Sequence, residues 1–120
     1  MKLAVLGFCF GGGLTWQLLA AGEPRLAAAL PFYGPLPDPH DFAGSKQATV
    51  LAFYGAKDER VTSTKDAAAT ALEQAGVVHQ IVVEPDADHA FFNDTGPRYQ
   101  PAAAADAWRR LQDWFAAHLG

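Results

Sequence analysis

Hydrophobic residues in this chain arrive in short runs punctuated by Gly, Pro and Asp. Residues 2–6 form an apolar run that reads as a buried strand, and a helical pattern follows over about 12–21. Gly22 and Pro24 end that helix. Residues 26–33 read as a second strand, although three alanines dilute its β character. A loop rich in Pro, Asp and Gly runs from Gly34 to about Ser45. Residues 49–54, Thr-Val-Leu-Ala-Phe-Tyr, form the clearest strand, with Gly55 to Val61 as its exit loop. Thr62 or Ser63 is placed to cap a helix that runs to about Ala75, and Gly76 closes it. Residues 78–84 form a fourth strand, followed by a long loop from Pro85 to Pro101. Pro101 suits the first turn of a last helix reaching about His118. That helix lines up Ala104, Trp108, Leu111, Phe115 and Leu119. Strands alternating with helices predict an α/β fold, a mostly parallel four-stranded sheet with flanking helices.

Composition narrows the picture without redirecting it. Half of the 120 residues are hydrophobic and 18% are charged, as in a globular domain with a real core. A formal net charge of −4 offers no basic footprint for nucleic acid. The one cysteine cannot form an internal disulfide, which fits a reducing cytoplasm. The sequence opens with no secretory signal, and no apolar run approaches the roughly 18 residues of a membrane span. A cytoplasmic protein without a membrane or nucleic-acid partner is the expectation. No His, Cys, Asp and Glu set has metal-ligand spacing and no loop has a phosphate-binding pattern, so no cofactor is expected.

The chemistry concentrates at strand exits. Gly7-Phe8-Cys9-Phe10-Gly11-Gly12 lies between the first strand and first helix. Gly-x-nucleophile-x-Gly in that setting is a nucleophile elbow, a sharp turn that lifts the central side chain above the sheet. Gly7 and Gly11 are expected to be glycine because a side chain at either would clash. Asp58 follows the third strand and His89 the fourth, giving the order nucleophile, acid, histidine. A thiol is mostly protonated at neutral pH, so Cys9 needs a base. His89 supplies one, Asp58 orients it, and the Phe10 N–H serves as an oxyanion donor. Asp86 and Asp88 are rivals of Asp58. His40, His79 and His118 read as structural. Arg98 and Tyr99 read as pins for the long loop, and Trp108, Trp114 and Phe115 as core. Tyr33 and Phe91 are candidate walls of a substrate pocket.

With these residues in place the chain resembles the dienelactone hydrolase family. The resemblance is carried by Gly-Phe-Cys-Phe-Gly-Gly, by Phe53-Tyr54-Gly55-Ala56-Lys57-Asp58-Glu59-Arg60-Val61 and by Asp88-His89-Ala90-Phe91. It continues through Asn93-Asp94-Thr95-Gly96-Pro97-Arg98-Tyr99 and Ala102 to Trp108. It implies a Cys9–Asp58–His89 triad cleaving small esters or lactones through an acyl-thioester. It also implies that residues 1–120 are a single truncated domain, the C-terminal half of such an enzyme. In that family the N-terminal half supplies a second oxyanion amide, a glutamate for the resting thiol and a substrate arginine. A further substrate arginine of the family falls at Asn93 here.

The α/β-hydrolase strand order would set the four strands side by side in sequence order. The strand Leu3-Ala4-Val5-Leu6 would then be a bare apolar edge, a surface that invites another chain. A homodimer through Leu3–Leu6, two edges pairing antiparallel, is the expected assembly. The alternative from another functional class is a non-catalytic dimeric binding module with a vestigial triad.

Overall fold

A computed structural model describes residues 2–119. Four strands, β1 (Leu3–Phe8), β2 (Leu26–Phe32), β3 (Thr49–Gly55) and β4 (Val78–Glu84), form one sheet in the order β1-β2-β3-β4. All three pairings are parallel. The helices are α1 (Phe10–Ala21), α2 (Glu59–Thr62), α3 (Lys65–Ala75) and α4 (Pro101–Leu119), with a 3-10 turn at Ala43–Ser45. The sheet is therefore parallel, sequential and helix-flanked, as the alternation of patterns predicts.

The core has two layers. On one face Trp16 and Leu19 of α1 and Ala68 and Leu72 of α3 pack on Ala29, Val50, Ala52 and Tyr54. On the other, Ala103, Ala107 and Leu111 of α4 pack on Ala28, Leu30, Phe32, Leu51, Phe53 and Val82. The alanines of β2 make sense here. This strand is covered by α1 on one side and α4 on the other, and small side chains let both helices come close.

Four local expectations are corrected. β1 is not buried: its burial alternates, and Leu6 (41% exposed) and Phe8 (38%) stand open because α4 packs over β2, β3 and Val82 of β4 rather than over β1. β1 also runs on through Gly7 and Phe8, and α1 begins at Phe10 rather than near residue 12. Neither Thr62 nor Ser63 caps the helix that reaches Ala75. Thr64 holds that position without a side-chain bond, and a separate turn, α2, comes first. The hydroxyls are used otherwise: Thr62 donates to the Gly55 carbonyl at 2.7 Å, Ser63 to Arg60 at 2.9 Å and Thr64 to Val61 at 2.6 Å. Finally, Trp108 is 52% exposed, whereas Trp114 and Phe115 lie partly buried against the core. The sheet accepts the alanine side of α4, since Ala103 and Ala107 allow a closer approach than an indole would.

Other expectations are met. Gly76 ends α3 in the left-handed region at φ 72°, its N–H donating to the Glu73 carbonyl at 3.1 Å. β4 spans the expected seven residues. The outer edge of β1 has no neighbouring strand among the described residues. No helix among them is long and apolar enough to cross a membrane.

Candidate active site

Cys9 is the single residue between β1 and α1. Its φ of 57° and ψ of −117° put a non-glycine residue in the strained positive-φ region. Two hydrogen bonds and a crowded glycine hold it there. The Cys9 N–H donates to the Phe32 carbonyl at 3.1 Å, tying the elbow to β2. The Gly13 N–H donates to the Cys9 carbonyl at 3.1 Å, starting α1. Gly7 is forced: a Cβ there would sit 2.2 Å from the Gly11 carbonyl oxygen. Gly11 itself faces open space, against expectation. The second crowded glycine is Gly12, whose Cβ would lie 2.6 Å from the Phe32 carbonyl oxygen. The constraint falls one residue later because α1 runs against the end of β2 there. At the first position of α1, the Phe10 N–H has no partner within the helix.

Asp58 leaves β3 as the N-cap of α2. One carboxylate oxygen accepts the Val61 N–H at 3.4 Å. The other accepts from His89 Nδ1 at 2.8 Å. The carboxylate is 8% exposed and the imidazole 24%. Asp58 is thus the acid that meets His89. Asp88 instead accepts the His89 backbone N–H at 2.7 Å, and Asp86 has no bond to the ring. The two exit loops are fastened together: the Ala56 N–H donates to the Glu84 carbonyl at 3.0 Å and the Lys57 N–H to Ala87 at 2.8 Å. With Nδ1–H given to the carboxylate, Nε2 carries the ring's lone pair.

Cys9 and His89 are not hydrogen-bonded to each other in this resting arrangement. Burial pushes the Cys9 thiol up from its ordinary value; the Arg98 guanidinium pulls it down, and the Asp58 carboxylate raises it. Cys9 lines an open pocket of about 370 Å³ with Phe8, Tyr33, Ala90, Phe92, Asn93 and Asp94. Tyr33 is buried at φ 39°, its N–H donating to the Phe53 carbonyl at 2.7 Å and its ring centroid 5.2 Å from that of His89. Burial first, then the nearby Cys9, pushes its phenol far above the usual range.

Phe91 does not line this pocket. It is fully buried, edge-on to Tyr33 at 5.3 Å, and supports the tyrosine from beneath. Phe92 faces the pocket in its place, stacked 5.6 Å from Phe8. The left-handed Ala90 at φ 65° turns the chain between the two. Phe8 and Phe92 were the wall residues that patterning missed; adjacency to Cys9 in the elbow was the available signal for Phe8. His40 and His79 bind local carbonyls, of Pro37 at 2.9 Å and Val77 at 2.8 Å, and His118 packs on Trp114. No cluster of three His, Cys, Asp or Glu side chains suited to a metal is found among the described residues.

Known proteins resemble this chain in sequence and in fold. The profile of the dienelactone hydrolase family matches residues 1–119. A Salmonella typhimurium protein named "Putative carboxymethylenebutenolidase" is 40% identical over 129 residues, an overlap of 99% of this chain and 47% of its own length. A crystal structure described as "Putative Dienelactone Hydrolase" from Klebsiella pneumoniae has a TM-score of 0.83 at 40% identity, covering 95% of this chain and 51% of that one. The "Dienelactone Hydrolase-like Promiscuous Phospotriesterase P91" from metagenomic libraries scores 0.85 at 30% identity, covering 98% and 52%. The chain spans about half the length of the curated relatives it matches. The profile match and the shared fold agree, and the chain belongs to the dienelactone hydrolase family.

Proposed function

We propose that this chain carries the catalytic centre of a hydrolase of small carboxylic esters or lactones, working through Cys9, His89 and Asp58. The observation that supports it most is the 2.8 Å bond between Asp58 and His89 Nδ1, made by residues 31 apart in sequence. It fixes the tautomer that leaves Nε2 free to take a proton.

In the proposed cycle the resting thiol is neutral, in keeping with the burial that raises it. Rotation of the Cys9 side chain brings Sγ to Nε2. The imidazole takes the thiol proton as sulfur attacks the carbonyl, and a C–S bond forms. The carbonyl oxygen becomes an oxyanion held by the Phe10 N–H. Collapse breaks the C–O bond, and His89 returns its proton to the leaving oxygen. In a lactone that oxygen stays on the same molecule as the acyl group. Water then gives a proton to Nε2 and attacks the thioester, releasing the acid and restoring the thiol. Asp58 steadies the imidazolium in both halves. Phe8, Tyr33 and Phe92 give the pocket an aromatic wall suited to a small, largely apolar acyl or ring system. No cofactor takes part in this scheme.

Assembly belongs to the same proposal. Leu6 and Phe8 of β1 and Phe10, Leu14 and Leu18 of α1 are exposed beside an unpaired strand edge. A second copy pairing antiparallel through Leu3–Leu6 would satisfy the edge amides and bring the two α1 helices together on one face. Cys9 would then lie close to the interface.

One observation favours the other reading, a dimeric binding module with a vestigial triad: Sγ makes no bond to the ring. Hydrolysis of p-nitrophenyl acetate separates the two. The proposal expects turnover by the wild-type chain and its loss in Cys9→Ala at unchanged thermal stability. Equal rates in the two proteins would remove Cys9 from the mechanism.

A further inference from the structure

β4 ends on an acid that the hydrolytic scheme does not use. Glu84 is only 4% exposed, and its Oε1 has no hydrogen-bond partner. It shares the α4-facing side of the strand with Val82, two residues earlier, and its side chain meets Asp106 of α4. The Asp106 carboxylate is already engaged by Arg110 at 2.8 Å and by Arg109. An anion at Glu84 would thus face another carboxylate with one oxygen left unpaired out of water, which is the costliest state for a carboxyl group. The neutral acid avoids both penalties by donating its proton to Asp106.

The backbone of Glu84 is equally placed. Its carbonyl accepts the Ala56 N–H, one of the two bonds that join the Asp58 loop to the His89 loop. His89 lies five positions after Glu84. Fixing Glu84 against α4 therefore fixes the end of β4, from which the His89 loop leaves and to which the Asp58 loop is tied.

We propose that Glu84 is a positioning residue: as a neutral acid bonded to Asp106 it latches α4 to the end of β4 and holds the Asp58 and His89 loops in place, and its ionisation loosens that latch. Its consequence for turnover rests on the hydrolytic reading above, while the latch itself does not.

The direction in pH follows from the environment. Burial, then the bond to Asp106 and its charge, push Glu84 up to about 7, against which Arg110 and Arg109 pull weakly. Asp106 is held down to about 2, first by Glu84 and then by the two arginines, with burial opposing. The groups acting on Glu84 all come from α4. A carboxyl raised from 4.5 to about 7 holds more proton in the folded than in the unfolded state across that interval. Its stabilisation is full below about pH 4.5 and is lost as the pH rises through 7.

Glu84→Gln tests the latch, because the amide donates to Asp106 at every pH. Melting temperature is followed from pH 5 to 8. The wild-type chain should fall by about 5 °C more than E84Q over this range. The kcat/KM ratio of wild type to E84Q should decline over the same range. In carbon-13 spectra one glutamate carboxyl of the wild type should titrate near neutrality and vanish in E84Q. Asp106→Asn, which turns the neighbour into a donor, should move that titration to lower pH. Parallel melting profiles, with no glutamate titrating above about pH 6, would overturn the proposal. The melting and spectroscopic readings decide it even if no ester is turned over, whereas a missing kcat/KM decline beside a confirmed titration would sever only the link to catalysis.

Discussion

Exchanging Asp58 for Asn isolates the charge from the shape of the acid–histidine pair. Asn is as good an N-cap as Asp, so the contact with the Val61 N–H is kept. What disappears is a negative charge whose oxygen lies 2.8 Å from Nδ1. In the proposed cycle the ring becomes a cation once Nε2 has taken the thiol proton, and this charge stabilises the transition state. With charge centres about 4 Å apart and an effective dielectric of about 20, the attraction is about 4 kcal/mol. The carboxylate is nearly buried but a quarter of the imidazole is open to solvent, which lowers the figure to about 3 kcal/mol. At 1.36 kcal/mol per decade that is about two orders of magnitude in kcat/KM. An Asn amide that turned its NH2 toward Nδ1 would select the other tautomer and deepen the loss. The assay is p-nitrophenyl acetate hydrolysis near neutral pH, with a melting curve to show that D58N is folded. A folded D58N that keeps a third or more of wild-type kcat/KM would refute the electrostatic role of Asp58.

Two further outcomes follow from the surroundings of Cys9 and from the open edge. Among the described residues Arg98 is the one cation that lowers the pKa of the partly buried thiol, so Arg98→Gln should raise the Cys9 pKa further and slow iodoacetamide labelling at about pH 8 by a few-fold; an unchanged labelling profile would show that the guanidinium does not act on the sulfur. Sedimentation at micromolar concentration should show a dimer for the wild type and a monomer for Leu6→Lys, since a charge in the apolar edge opposes self-pairing; a wild-type monomer would end the antiparallel-edge proposal.

Much of the fold could be read from the chain, and where reading failed the cause is tertiary. β4 was legible to the residue because a β-branched run is bounded by Gly76 and Pro85. The start of α1 was not, because Gly11, Gly12 and Gly13 are poor helix formers by propensity. They are helical here because the helix must pass close to Phe32 and Gly34, where Gly12 has no room for a Cβ. Trp108 misled in a related way: patterning gives weight to large apolar residues, while the sheet selects the small ones on α4. At the site, Cys9 was visible in its glycine frame and the Asp58–His89 pairing in the order of strand exits. The pocket wall at Phe92, rather than Phe91, depends on the left-handed turn at Ala90, which a non-glycine residue does not announce. Glu84 was hidden because a glutamate at a strand end ordinarily faces water. Its place two residues after Val82, on the same side of β4, was the clue.

The paired exits of β3 and β4 separate the machinery into two carriages. Asp58 and His89 ride together on the neighbouring strands β3 and β4, coupled by main-chain ties at Ala56 and Lys57. The sulfur rides alone at the opposite edge, beyond β1, whose far side has no strand among the described residues. On the proposed mechanism, whatever docks along that edge shifts the aim of the sulfur and leaves the Asp58–His89 couple untouched, so recruitment at the rim sets the rate by adjusting a single coordinate.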